Sequence, residues 1–223
     1  MTSSERSAVD QLRSYLAEDW TRWLAEYPEL ATAFGVPGLN DRWTDDSTEG
    51  IERRKRHLSE SLSSLRRLDA AGLPPAERVN YELYRELLEA AEVGLSFGFD
   101  PLPFHLGMPH SLLVPLNQME GVHINASEQL EIQPRDHLSD YEDILSRLGG
   151  LATAVDQNLV LLEAGRSKGF TPNRVAVRGA PEQVQGLIPT DPMSSPLLRA
   201  FADFPARIGE ADRRRLSAKA QKV

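Results

Sequence analysis

The segment that opens at Asp136 constrains this chain more than any other. Leu138, Tyr141, Leu145, Leu148, Ala152, Val155, Leu159 and Leu162 follow it at alternating three- and four-residue steps. That spacing sets them along one side of an α-helix. Asp136 is the natural N-cap, and Gly165 and Gly169 ahead of Pro172 end the element, which predicts a helix over 136–166. A stripe of this length has to be covered, because in water it would drive aggregation. Leu145, Leu148 and Leu159 are therefore expected in a core, and Glu142, Arg166 and Lys168 in solvent. Gly149-Gly150 interrupts the stripe at a cost of about 1 kcal/mol per glycine relative to alanine. The pair marks a kink or a close approach by another element.

The elements that would cover the stripe are helical too. Thr2 and Glu5 form a capping box, and Val9, Leu12, Leu16, Trp20, Trp23 and Tyr27 recur behind it, predicting a helix over 4–27 that Pro28 ends. Residues 35–46 are rich in turn formers and read as a loop. Ile51, Leu58, Leu62 and Leu65 predict a helix over 48–71. Pro74-Pro75 suits a helix start, and Val79, Leu83, Leu87, Ala90 and Gly94 carry it over 75–97. The short link between these two makes them a hairpin. The 136–166 helix is expected to pack on that hairpin with the first helix alongside.

Residues 98–135 hold Pro101, Pro103, Pro109, Pro115 and Pro134 without a sustained period, and read as a long structured loop with a helical turn near Ser111 to Gln118. A shorter helix follows over 173–188, with Val175, Val184 and Leu187 as its apolar positions. Val175-Ala-Val177 is the one short strand candidate. The fold class is all-α: an irregular multi-helix bundle with a long proline-rich central loop, part of a larger helical protein. Residues 1–205 are expected to form an amino-terminal helical domain. Residues 206–223 would begin a further helix that is cut short, since they offer few apolar anchors and no C-cap signal.

Composition narrows the function classes. With 40% hydrophobic and 26% charged residues over 223 positions, the chain can bury a core. A formal net charge of -8 argues against nucleic acid as partner, because phosphate contacts need a basic surface. The absence of cysteine removes disulfides, thiolate metal sites and cysteine nucleophiles. The first ten residues lack the apolar stretch of a signal peptide, and no long apolar run predicts a membrane span. A cytoplasmic protein without a membrane partner is the expectation.

Candidate chemistry is sparse. His105 and His110 are five residues apart and separated by Gly107 and Pro109, so no helix presents them together as a metal-binding pair. Glu120-Gly-Val-His123 has the form used in bundle di-metal sites, but Gly121 weakens any helix there. Asp41, Asp45, Asp46 and Glu49 lack the order of a calcium loop, and Asp46-Ser47-Thr48 more simply caps the second helix. There is no Gly-x-Ser-x-Gly elbow and no phosphate-binding glycine loop. Arg53 to Arg56 and Arg213 to Arg215 read as solvated faces or carboxylate partners. Trp20 and Trp23 fit core packing rather than ligand stacking. No catalytic, cofactor-binding or metal-binding residue is assigned.

Several short signatures stand in a fixed order: Leu30-Ala-Thr-Ala-Phe-Gly35, Asp41-Arg42, Asp45-Asp-Ser47, Pro115, Gln118 and Gly121, then Asp140-Tyr-Glu-Asp-Ile-Leu-Ser-Arg-Leu148, Asp156-Gln157, and Leu161 to Gly169. In that order they resemble the amino-terminal part of the bacterial domain-of-unknown-function family 885. The resemblance implies a large helical protein similar to zinc metallopeptidases, with a His-Glu-x-x-His motif in its second half. This chain contains no such motif. Zinc is thus expected in full-length members and no cofactor in this chain. The implied role is one wall of a peptide-substrate cleft, with the loop 98–135 facing it and the carboxy-terminal part of the full-length protein as partner. Alone, the chain would be catalytically incomplete. The alternative reading is a self-standing helical binding or interaction module.

Overall fold

The computed structural model describes residues 3–104 and 110–223. The protein is all-α: among these residues the only β pairing is the isolated bridge of Phe99 with Ser111. Thr2, and with it the expected capping box, lies outside the described residues. No helix among the described residues is long and apolar enough to cross a membrane. The chain divides into two compact units, one of residues 1–26 and 46–112, the other of residues 27–45 and 113–223.

The first unit contains α1 (Ser3–Glu26), α3 (Thr48–Arg66) and α4 (Pro75–Leu95). Ser47 caps α3 by accepting from the Gly50 amide at 3.1 Å, as its place before the apolar period requires. The helix stops at Arg66, short of the expected residue 71. The turn after it is held instead by the Arg78 guanidinium, which donates to the carbonyls of Ala71 and Leu73. α3 packs on α4, and α1 packs on α3. Leu12 and Trp23 of α1, Leu58, Leu62 and Leu65 of α3, and Leu88 of α4 are buried.

The stripe expected to bury α4 is not the one it buries. Tyr81 and Leu88 are inside, whereas Val79 and Leu83 are 64% and 56% exposed. α4 carries two apolar faces, and periodicity alone cannot say which of them meets α3.

The second unit contains α2 (Pro28–Ala33), α5 (Val122–Ile132), α6 (Leu138–Ser167), α7 (Ala180–Leu187) and α8 (Glu210–Ala220), with two 3₁₀ turns over Pro192–Ser194 and Pro196–Phe201. Its core joins Leu130 of α5, Tyr141, Ile144, Leu145 and Leu148 of α6, Leu198 and Phe201 of the second 3₁₀ turn, and Leu216 and Ala220 of α8. Tyr141, Phe201 and Phe204 pack together, Phe201 edge-on to both of the others and Tyr141 tilted over Phe204, with ring centroids 4.8 to 6.3 Å apart. Each such pair adds about 1 kcal/mol beyond area burial. The segment after residue 206, read as poor in anchors, needs only Leu216 and Ala220 to seat α8 on α6.

Four expectations for this unit are corrected. α6 starts at Leu138 rather than Asp136, because the Asp140 carboxylate reaches back to the amides of Asp136 and His137 at 2.8 Å each. Its stripe is buried only at the front. Leu145 and Leu148 are core, but Leu159 is 56% exposed, and Ala154, Leu161 and Gly165 are buried in its place. On a straight helix Leu159 stands only about 20° from Leu148, so the row itself has not turned away; the back of the helix is covered on a different face, where Leu113 meets Gly165. The elements that cover the face of α6 within its own unit are α5 and α8, where sequence expected the helices before it. Finally, no helical turn forms over 111–118. The helix inside the proline-rich segment is α5, anchored by Ala126 and Leu130, and Val175 to Val177 form a turn.

Candidate functional site

Each unit contains a buried polar centre that joins several elements. In the first unit it is built on Asp19, which is 3% exposed on the inner face of α1. Asp19 falls four residues before Trp23 and three after Leu16, in register with the apolar row, so the helix delivers its carboxylate inward. His57 and Ser61, one turn apart on the inner face of α3, point at it. His57 Nε2 lies 2.9 Å and Ser61 Oγ 2.7 Å from the same carboxylate oxygen. The Tyr84 hydroxyl of α4 donates to the other oxygen at 2.5 Å and accepts from Trp23 Nε1 at 3.2 Å. A phenol has one proton, and Tyr15 places its own on the Ser61 carbonyl at 2.8 Å. The Trp23 ring lies over the His57 imidazole, with centroids 4.0 Å apart.

The electrostatics follow from this wiring. Burial alone would raise the pKa of Asp19; donation from His57, Tyr84 and Ser61 outweighs it and holds the carboxyl below its usual value. Burial first, and then the Asp19 carboxylate, push the phenols of Tyr84 and Tyr15 well above theirs. Aspartate, histidine and serine meet here, yet no nucleophile is prepared. The Ser61 hydroxyl is directed to Asp19 and not to His57, and it is 1% exposed. The centre ties three helices together through one carboxylate.

Its pH dependence follows by sign. A carboxyl whose folded pKa is depressed contributes stability above the unfolded pKa of about 3.9 and loses it as pH falls through the lower folded value. Asp19→Asn is expected to melt well below the native protein at pH 7, by on the order of 3 kcal/mol, and the gap is expected to close below about pH 4. Thermal melts of both proteins from neutral to acid pH check this. A gap that does not change with pH would show that the carboxylate charge is not what the helices use.

The second centre is Arg147 of α6, fully buried at 0% exposure. Its Nε donates to the Arg42 carbonyl at 2.9 Å, and its Nη2 to the Leu39 carbonyl and Thr32 Oγ1 at 3.0 Å each. The guanidinium carbon stands 5.5 Å from the centroid of Trp43, whose Nε1 donates to the Arg147 carbonyl at 2.6 Å. Gly150 makes room for that ring: a Cβ there would stand 3.2 Å from Trp43 Cδ1. Burial pushes the pKa of Arg147 down, and the charges of Glu29, Asp41 and Asp143 act against that.

Neighbouring contacts fasten the same loop. The Glu29 carboxylate accepts from the amide and hydroxyl of Thr44, Gln133 Nε2 donates to the Asn40 carbonyl, and Gln157 Nε2 donates to Asp45 at 3.0 Å. The short signatures of residues 30–45, 140–148 and 156–157 therefore meet in space. What they build is a staple that holds residues 27–45 on α5 and α6.

The residues weighed earlier for metal chemistry are dispersed. His105 lies outside the described residues. The His110 carbonyl accepts from the Asp100 amide at 2.8 Å. His123 is on α5 with Nε2 3.2 Å from Gln183 Oε1, while Glu120 precedes the Gly121 cap and is off the helix. Asp41 pairs with Arg42, and Asp46 with the buried Arg54, which also meets Asp100 at 3.3 Å. Arg53 pairs with Glu26, and Arg215 with Glu142. Among the described residues no three histidine or carboxylate side chains converge as a metal ion needs.

Of Asp19, His57 and Arg147, none of which the sequence assigns a role, only Asp19 stands in an apolar row, three residues after Leu16 and four before Trp23.

No curated protein matches the chain. Residues 28–223 match a family described as bacterial protein of unknown function (DUF885), a span that begins at α2 and takes in the whole arginine staple. On that match the chain belongs to the DUF885 family.

Proposed function

We propose that the chain is the amino-terminal helical scaffold of a zinc-dependent peptidase of this family, lining a substrate cleft without supplying the catalytic metal ligands. One observation supports the scaffold role: the residues that mark the family are consumed in the Arg147 staple, where they bind backbone carbonyls and one another. The zinc chemistry rests on the resemblance alone. The described residues do not fit a zinc site, since His57 is committed to Asp19 and His123 to Gln183. The metal, the peptide substrate and the catalytic glutamate would accordingly belong to the carboxy-terminal part of the full-length protein. A cytoplasmic location and no affinity for nucleic acid complete this reading.

Peptide hydrolysis tests it. The 223-residue chain, incubated with a mixed peptide library and zinc, is expected to release no products. Mixed with the zinc-bearing carboxy-terminal portion of the family's full-length protein, it is expected to raise that portion's activity. Zinc-dependent turnover by the chain alone would overturn the proposal.

A further inference from the structure

Acidic residues outnumber basic ones 33 to 25 in this chain, yet residues 164–181 contain none. That segment carries Arg166, Lys168, Arg174 and Arg178 instead. Residues 113–119 contain no acidic residue either. The fold lays these two acid-free segments side by side. Gly165 lies so close to the Leu113 carbonyl that a Cβ would collide with it, and the Gln118 amide donates to the Ala176 carbonyl at 2.6 Å. Arg166 and Lys168 follow the first of these contacts along the chain, and Arg174 and Arg178 bracket the second.

All four cations are exposed. Arg166 is paired with Glu163 at 2.6 Å, whereas Lys168, Arg174 and Arg178 form no ion pair among the described residues. Glu120 and Glu182 stand just beyond the two segments, so three unpaired cations face two carboxylates and the strip stays positive. Among the cations, Phe170, Val175 and Met119 are 51%, 74% and 78% exposed. A strip of this kind on an otherwise acidic protein is complementary to an anion that also carries apolar groups.

The charge of the whole chain selects the kind of anion. A membrane or a nucleic acid is an extended polyanion, and it would meet the rest of a surface whose formal net charge is -8. A short peptide meets the strip alone, because at physiological salt charges more than about 8 Å away are largely screened. Residues 113–119 also belong to the loop that the family resemblance sets against a peptide cleft. We propose that this strip binds short peptides that are acidic and partly apolar, with carboxylates on Arg174, Arg178 and Lys168 and apolar side chains on Phe170, Val175 and Met119. A guanidinium suits that role, since it takes a carboxylate through two parallel hydrogen bonds. The choice of a peptide rests on the peptidase reading, and the preference for acidic sequence rests on the strip itself.

The test uses the intact chain and two fluorescent hexapeptides that alternate leucine with glutamate or leucine with lysine. Fluorescence anisotropy is expected to show saturable binding of the glutamate peptide and at least about tenfold weaker binding of the lysine peptide. Arg174→Glu is expected to weaken the glutamate peptide by about tenfold with an unchanged melting temperature, since the side chain is exposed and unpaired. Arg178→Glu, as a second variant, is expected to do the same. Arg56→Glu changes the net charge equally on an exposed residue of the first unit, and is expected to leave binding as it was.

Equal binding of the two peptides would overturn the proposal, as would equal losses in Arg174→Glu and Arg56→Glu. Binding of anionic vesicles or single-stranded DNA that Arg174→Glu removes would give the strip to a polyanion and overturn it too. So would self-association in sedimentation that Arg174→Glu abolishes. None of these results bears on the peptidase reading, which fails on zinc-dependent turnover by the chain alone.

Discussion

Replacing Arg147 with methionine is expected to release residues 27–45 from the rest of their unit and to cost about 3–5 kcal/mol. Methionine matches much of the volume and would gain packing, and buried ion pairs exchanged for apolar groups are often neutral for that reason. Here the exchange is one-sided. The acceptors left behind are the Arg42 and Leu39 carbonyls and Thr32 Oγ1, and two of these are backbone that no substitution at 147 removes. Unpaired buried acceptors cost about 1–3 kcal/mol each, which outweighs a methionine's packing gain.

The Trp43 ring would lose its cation as well. A drop of about 10 °C in the melting temperature of this unit follows. Trypsin should cut at Arg42 far faster than in the native protein, because the bond would no longer be held against α6. Arg147→Lys should fail nearly as badly, since one ammonium cannot span three acceptors that a planar guanidinium reaches together. Unchanged melting and unchanged proteolysis in Arg147→Met would mean that the staple does not hold the loop.

Gly165→Ala is expected to be the most damaging loss of a glycine. A Cβ at that position would stand 1.9 Å from the Leu113 carbonyl oxygen and 3.1 Å from that of Phe170. Both obstacles are backbone, so neither can swing aside as a side-chain end would. The Phe170 amide also donates to the Gly165 carbonyl at 2.9 Å, which pins the segment that would have to move. Overpacking of this kind costs about 3 kcal/mol or more.

Gly149 gives the internal control on the same helix. Nothing lies within 4 Å of a Cβ there, and the residue is exposed. Gly149→Ala should therefore stabilise the protein by about 0.5–1 kcal/mol through helix propensity and a less flexible unfolded chain. Chemical denaturation of the two variants should move the midpoint in opposite directions. A Gly165→Ala protein as stable as the native one would mean that Leu113 does not approach α6 as described.

Much of the architecture was legible in the order of residues. The helical class, Ser47 as a cap, Pro75 as a start, and Leu145 and Leu148 as core all follow from local rules, because capping and periodicity are settled within a turn or two of chain. The family was legible too, from short signatures in a fixed order. Their purpose was not. An arginine on a helix ordinarily faces water, and Arg147 is buried only because Thr32, Leu39 and Arg42, more than a hundred residues away, present oxygen to it. The centre at Asp19 is similar: a carboxylate in the apolar row of α1 was visible, but its donors come from two other helices.

The same division applies to the helix faces. Periodicity established that α4 and α6 each carry an apolar row, since side-chain direction along a helix is a property of local geometry. Which row is covered depended on packing. α4 had two candidates and buried the one holding Tyr81 and Leu88. α6 buried Leu145 and Leu148 at its front but Ala154 and Leu161, which lie on another face, further along, and left Leu159 in solvent. Burial is a relation between elements, and no local pattern contains the partner.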